Sequence, residues 1–368
     1  MTVALALVYG GYVAFMLAVA WRIRTHRAPD VLDDDALPTV AVVVAARDEA
    51  DCIGRCLDAL QAQDYPAGRL TLVVADDHST DRTADVVRQR AAAGGPHAVR
   101  YLRVPDPVGH LRGKAQALHT AFEAVDADVV LITDADCAPV PTWARTLASE
   151  FADPSVGVAC GLARLVERDG RPFDRVQALD WELLLGTISA ASESGHPATG
   201  MGNNQGVRRA AYDDVGGYPA LPFSVTEDFI LVRAAVRAGW RVRFPLDARS
   251  VVWSLPTDSV PAAYGQRRRW ARGGLSGDPW VLPLYVLLFV VHALPLAGLV
   301  VAPAAGGAAL AAKAVGDGAA LWALRRRVGG RVRLGALVGT VLFVTGYLVT
   351  LPVALVLRPQ IGWKGRRH

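Results

Sequence analysis

The 368-residue sequence is poor in cysteine, methionine and lysine: it has four Cys and three Met, and lysine occurs at positions 114, 313 and 364 alone. Cys52, Cys56, Cys137 and Cys160 make no Cys-x-x-Cys pair and no Cys/His cluster with zinc spacing. A disulfide framework and a structural zinc are therefore not expected, and the compartment reads as reducing. Cys52 and Cys56, four apart in a helix-like stretch, read as small buried hydrophobes. No Gly-x-Gly-x-x-Gly follows the first strand-like run, so a dinucleotide fingerprint is missing. Residues 109–115, GHLRGKA, imitate a P-loop but have one residue too few between the glycines and Ala where Ser or Thr must hold a metal. No internal repeat is visible, and the globular part has no basic tract with interleaved aromatics. A repeat-built transporter and a nucleic-acid partner are not expected.

What is present points to a mixed chain. With 52% hydrophobic and 20% charged residues and a net charge of +4, the sequence is too apolar for an ordinary soluble enzyme and too charged to lie wholly in lipid. Residues 3–21 carry no charge and are followed at once by Arg22, Arg24 and Arg27. That order suits a retained spanning helix with a cytoplasmic flank, and it reverses the order of a cleaved signal peptide. Residues 280–303 and 334–357 form two more uncharged runs, and residues 304–324 between them are interrupted only by Lys313 and Asp317. Those two, four apart, share a helical face and can neutralise each other, either in a direct role or as a snorkelling pair or helix contact. With three spans after a cytoplasmic middle, the basic residues 325–333 fall inside but those of 358–368 fall outside, which leaves the side of the C-terminus open.

The polar middle, from residue 38 to about 256, alternates strand-like and helix-like stretches, as an α/β domain with a largely parallel sheet does. Residues 39–46 (TVAVVVAA), 70–75 (LTLVVA) and 128–133 (DVVLIT) read as buried strands. The second runs into Asp76 and Asp77, the third into Asp134 and Asp136. In an open α/β sheet the ligand crevice lies beyond the carboxyl ends of the strands, so these turns should converge. Two carboxylates one residue apart repel each other unless a hard divalent cation sits between them and a phosphate ligand. A surface turn is the plainer explanation of Asp-x-Asp; its place after a buried strand favours the cation. Arg112 and Lys114, near a flexible glycine, can reach a diphosphate. Taken alone, Thr226-Glu227-Asp228 reads as a capped helix start, and residues 266–270 (QRRRW) as a basic, aromatic anchor on the membrane surface.

In order, these strings resemble the membrane-bound family 2 glycosyltransferases, the group of cellulose, hyaluronan and poly-N-acetylglucosamine synthases and ceramide glucosyltransferases. The resemblance runs from about residue 40 to 275, with Trp363, Lys364, Gly365 and Arg366 resembling the chain end of many bacterial members. It implies a GT-A nucleotide-sugar-binding, Rossmann-like α/β domain inserted between transmembrane helices. The expected division is an N-terminal anchor (1–24), a cytoplasmic catalytic domain (38–255), an interfacial segment (256–279), about three transmembrane segments (280–357) and a basic tail (358–368). By the same resemblance Arg47 and Glu49 flank the nucleotide base, with Asp48 standing where the family has Asn. Asp76 and Asp77 read the uridine and Lys114 meets the diphosphate. Asp134 and Asp136 hold donor and Mg²⁺ or Mn²⁺, with Asp136 the direct ligand. Asp228 is the general base, with Glu227 beside it. Asn203, Asn204, Gln266, Arg269 and Trp270 lie at acceptor and diphosphate.

The implied reaction is inverting, metal-dependent transfer from a nucleotide-sugar, expected to be a UDP-sugar, to a membrane lipid. Asp228 takes the acceptor proton, while Lys114, Arg269 and the cation meet the charge of the departing diphosphate. Three C-terminal segments make a small pore at best, which favours one transfer to a lipid over a polymer. Processive polysaccharide synthesis and a non-catalytic nucleotide-binding scaffold are the alternatives. The expected location is the cell membrane.

Overall fold

The computed structural model describes residues 2–107, 109–192, 200–275 and 282–357, with backbone alone at 276–277, 281, 362–363 and 366–367. Trp280, Trp363, Lys364, Gly365 and the side chain of Arg366, and with them the expected chain-end resemblance and basic tail, lie outside the described side chains. Among the described residues, ten strands carry the polar middle: β1 (Val40–Ala46), β2 (Leu70–Asp76), β3 (Ala98–Arg103), β4 (Val129–Asp134), β5 (Ala138–Pro139), β6 (Val156–Cys160), β7 (Ala163–Leu165), β8 (Gln205–Arg208), β9 (Arg241–Arg243) and β10 (Val252–Ser254). Among the described residues, seven form one sheet in the order β3-β2-β1-β4-β8-β6-β9, and β5-β10-β7 form a smaller one. The first four strands of the large sheet are parallel, while β8 runs against both β4 and β6.

The helices are α1 (Thr2–Thr25), α2 (Ile53–Gln61), α3 (Thr83–Ala93), α4 (Gly113–Glu123), α5 (Trp143–Ser149), α6 (Pro172–Ser192), α7 (Arg209–Asp214), α8 (Gly217–Ala220), α9 (Glu227–Arg237), α10 (Val260–Gly277), α11 (Val281–Val301), α12 (Pro303–Val328) and α13 (Leu334–Leu357). Side chains alternate across a strand, and here both faces are covered. Val40, Val42 and Val44 pack with Ile53, Leu57 and Leu60 of α2. Ala41 and Val43 pack with Leu118, Ala121 and Phe122 of α4. A strand buried on both faces needs an unbroken apolar run, which is why β1 reads as it does.

Because β1 pairs with β2 on one side and β4 on the other, the order reverses at β1 and leaves a crevice at the strands' carboxyl ends. The register places Ala46 beside Asp76 and Ala45 beside Asp134. The two acidic turns are thus level, and two strand spacings put them about 10 Å apart.

Among the described residues, three helices are long and apolar enough to cross a membrane by length and composition: Thr2–Thr25, Leu282–Val301 and Leu334–Leu357. The segment with Lys313 and Asp317 is helical over 26 residues as α12 but is not one of the three, since those charges interrupt its apolar run. They are 1% and 0% exposed, with Nζ 2.5 Å from Oδ2. Tyr12 of α1 donates to the other oxygen of Asp317 at 2.5 Å, and its ring lies 5.4 Å from Lys313 Nζ. The pair is a helix contact that fastens α12 to α1. Toward the domain, Glu182 of α6 accepts from both Arg164 (2.9 Å) and Arg325 (2.6 Å), which locks the last turn of α12 to the sheet side. Asp180 likewise accepts from Arg267 of α10 at 2.6 Å and from Tyr347 of α13 at 3.2 Å.

Candidate active site

The turn after β1 places Arg47 against the turn after β2: its Nη1 donates to the Asp77 carbonyl at 3.1 Å and lies 3.6 Å from the Asp77 carboxylate. Asp48 adopts a φ of 51°, a left-handed conformation in which a short polar side chain can bond locally. Its carboxylate accepts from Thr80 N at 2.7 Å, and that backbone bond leads the effects that hold its pKa below the usual range. Glu49 accepts from the Cys52 thiol at 3.1 Å. Arg47, Glu49 and Asp77 all line the crevice.

Opposite them, the start of α4 delivers Lys114. Its ammonium donates to Asp134 at 2.5 Å and to the Gly202 carbonyl at 2.9 Å, and lies 3.4 Å from Glu227. Burial disfavours that charge, yet Asp134 and Glu227 outweigh it and raise the Lys114 pKa. Burial, opposed by Lys114 and reinforced by Asp228, pushes Glu227 up to about 7. Asp136 is also raised, by burial first and Asp134 second. Asp228, in the first turn of α9, accepts from Gly202 N at 2.7 Å and from Phe229 N at 2.9 Å, which fixes the plane of its carboxylate. From α10, burial lowers the Arg269 pKa against the pull of Glu227 and Asp134. Trp270 packs against Trp181 at 4.7 Å, and Gln266 accepts from Arg267. Gln266, Arg269, Trp270 and Asn203 line the crevice together with Asp134, Asp136, Glu227 and Asp228.

Two expectations need correction. Asn204 is fully buried and faces inward: its Oδ1 accepts from Trp143 Nε1 at 2.8 Å, and its Nδ2 donates to Leu162 O (3.1 Å) and Ser250 O (2.9 Å). It ties the loop to α5 and to the segments just before β7 and β10, and is not an acceptor contact. Asn204→Ala leaves Trp143 Nε1 and the Ser250 carbonyl without partners, while Leu162 O keeps its bond from Val252 N, so it is expected to lower thermal stability by about 2–4 kcal/mol with KM values little changed. A KM shift for the acceptor without a change in melting would instead make Asn204 an acceptor contact. Asp76 is likewise turned away, accepting from Ser79 N at 2.9 Å and from Tyr101 Oη at 2.7 Å, which buttresses β3.

The crevice also has lining residues outside these motifs. Trp181, Leu184, Leu185 and Ile188 of α6 face the crevice. Their spacing of three, four and seven is the helical signal that could have revealed them.

Among the described residues, no cluster of three or more His, Cys, Asp or Glu is placed to hold a metal. The donor set nevertheless fits a small divalent cation. Mg²⁺ is commonly bound by one or two carboxylates with the remaining ligands from phosphate and water, and Asp134 and Asp136 form such a pair with an unfavourable mutual charge.

A mostly parallel sheet reversing at β1, with acidic turns at its crevice, is the arrangement of a GT-A domain. The chain belongs to the glycosyltransferase like family 2, which it matches over residues 38–273. It is 28% identical over 284 residues to the beta-monoglucosyldiacylglycerol synthase of Synechocystis sp., covering 73% of this chain and 57% of that protein. It is 28% identical over 286 residues to the UDP-forming cellulose synthase 1 catalytic subunit of Komagataeibacter xylinus, covering 74% and 36%. The chain thus spans about half the length of the curated relatives it matches. In structure it is similar to the mannosyltransferase PcManGT from Pyrobaculum calidifontis in complex with GDP-Man and Mn2+, with a TM-score of 0.61, 25% identity, and coverage of 97% of this chain and 99% of that one.

Proposed function

We propose that the chain is an inverting glycosyltransferase that moves one sugar from a nucleoside diphosphate-sugar to the hydroxyl of a membrane lipid. One observation carries this reading: a single cavity of about 610 Å³ is lined both by Lys114, Asp134, Asp136, Glu227 and Asp228 and by Leu184, Ile188, Leu284 and Leu288 of α6 and α11. Charged walls suit a diphosphate and its leaving charge. Apolar walls from a helix long enough to enter a bilayer suit a lipid tail. The similarity to a diacylglycerol-type glucosyl synthase supports the acceptor class.

In this reading Asp228 accepts the acceptor proton as the bond to the anomeric carbon forms. Its two backbone hydrogen bonds keep the carboxylate aimed. Lys114 and Arg269 offset charge on the departing diphosphate. Mg²⁺ or Mn²⁺ at Asp136 and Asp134 supplies further charge neutralisation there when bound, and Mn²⁺ binding followed by paramagnetic resonance should be lost in Asp136→Ala. The domain sits on the cytoplasmic side, since Arg22, Arg24, Arg27 and Arg325, Arg326 and Arg327 all lie at the helix ends that meet it. Arg47 and Asp77 flank the base. A UDP-sugar is the first donor to test, and a GDP-sugar the second, given the bound nucleotide of the similar mannosyltransferase.

The test incubates full-length protein and membranes with radiolabelled UDP- and GDP-sugars. Label is expected in solvent-extractable lipid. Label in high-mass material instead would favour polymer synthesis, and nucleotide binding with no transfer under any donor would favour a scaffold.

A further inference from the structure

Outside the active site, a second cleft of about 280 Å³ opens where the last turn of α1 meets α6 and the segment after β9. Its walls include Arg22, His26 and Arg27 from the α1 end, Ser189 of α6, and Arg243 and Leu246. Arg327 reaches the same place, donating to the Leu246 carbonyl. The hydroxyls are already used: Ser189 donates to Phe244 O at 2.8 Å and Thr25 to Trp21 O at 2.9 Å. His26 accepts from Leu246 N at 3.3 Å, and burial, reinforced by Arg327 and Arg243, pushes its pKa down to about 4. The ring is therefore neutral at pH 7.

Two acids are near, and each has a cation: Glu150 faces Arg243 at 3.2 Å and Asp247 is gripped by Arg249 at 2.8 Å. Among the described residues, Arg22 and Arg27 have no acidic partner within 4 Å. The cleft therefore has surplus positive charge and planar donors.

Its level is marked by two tryptophans. Trp21 and Trp322 are 59% and 50% exposed, with Arg22 5.6 Å from the first ring and Arg24 and Arg326 6.0 and 5.4 Å from the second. Exposed Trp beside Arg at a helix end is the pattern of a headgroup boundary. Basic pockets between helices on the cytoplasmic side suit anionic phosphates.

We propose that this cleft binds the phosphate of an anionic membrane lipid, chiefly through Arg22 and Arg27. The site is separate from the sugar-transfer cavity; α6 lines both, with Ser189 and Ala190 toward the cleft and Leu185 and Ile188 toward the cavity. The proposal rests on the membrane placement of α1 given above, but its readout is lipid retention and does not require transfer.

The experiment purifies the full chain in nanodiscs of phosphatidylcholine with a minor share of phosphatidylglycerol, transfers it to detergent and counts retained lipid by native mass spectrometry. Failure to enter nanodiscs at all would overturn the membrane reading instead. Wild type is expected to retain phosphatidylglycerol over phosphatidylcholine. The double variant Arg22→Gln/Arg27→Gln should lose roughly 25-fold in that retention, at about fivefold per charge. Both side chains are exposed, so the fold should persist, and a thermal melt checks it. Arg331→Gln/Arg333→Gln, also basic and exposed but outside the cleft, should retain wild-type levels. Equal losses in the two double variants would mean general surface attraction, and displacement of lipid by millimolar inorganic phosphate would mean a soluble anion site. Either result overturns the proposal.

Discussion

Asp228→Asn is expected to lower the transfer rate about 10²- to 10⁴-fold, the usual contribution of a positioned general base, while donor affinity changes little. The substitution keeps the side chain's shape but removes the basic oxygen. An amide oxygen can still accept from Gly202 N or from Phe229 N, but not from both, since the second position becomes a donor. The loss of one such bond is worth about 1 kcal/mol, so stability should fall slightly and kcat steeply. Glu227→Gln is the necessary contrast. Glu227 faces Lys114 at 3.4 Å and shares its charge with Asp134, so its loss should appear chiefly in donor KM. Single-turnover transfer and equilibrium binding of a non-transferable donor analogue separate the two. If Asp228→Asn keeps its rate and Glu227→Gln loses it, the base is Glu227.

Lys313→Met should destabilise the protein by about 3–5 kcal/mol, because it leaves the Asp317 charge buried with only the Tyr12 hydroxyl to meet it. Removing both charges is another matter. Lys313→Met/Asp317→Leu replaces the pair with apolar groups of similar bulk, and most of the loss should return. Thermal unfolding in detergent, followed by intrinsic fluorescence, measures both. Equal destabilisation in the single and double variants would mean that the pair contributes through its shape alone. The transfer site is not involved, so activity per folded molecule should match the wild type in every case.

The parts of the fold that can be read directly are those with a one-dimensional cause. β1, β2 and β4 are legible because burial on two faces forces a run such as Val42, Val43, Val44, and the acidic turns follow from where those runs stop. β3 is harder: it lies at the sheet edge with Ala98, Arg100 and Arg103 exposed and Val99, Tyr101 and Leu102 half-buried, so its run is broken by charge. Side-chain direction in irregular backbone has no such cause. Asn203 and Asn204 are neighbours in an irregular loop, yet Asn203 lines the cavity and Asn204 anchors Trp143 in the core. Asp76 and Asp77 divide in the same way, at the point where β2 ends and the alternation of faces stops. The pairing of Lys114 with Glu227 depends on α4 and α9 meeting across the crevice, which no local pattern encodes.

The clasp between Tyr12 and Asp317 joins residues 305 positions apart in the chain. At ribosomal speeds of about 5–20 residues per second, the first helix waits on the order of a quarter to a full minute before its mate is synthesised. During that interval the hydroxyl of Tyr12 has only lipid, water or insertion machinery for company, and the whole Asp-rich domain emerges and folds in between. Maturation is thus ordered: the α/β domain can fold while the contact between the first helix and α12 is still unmade.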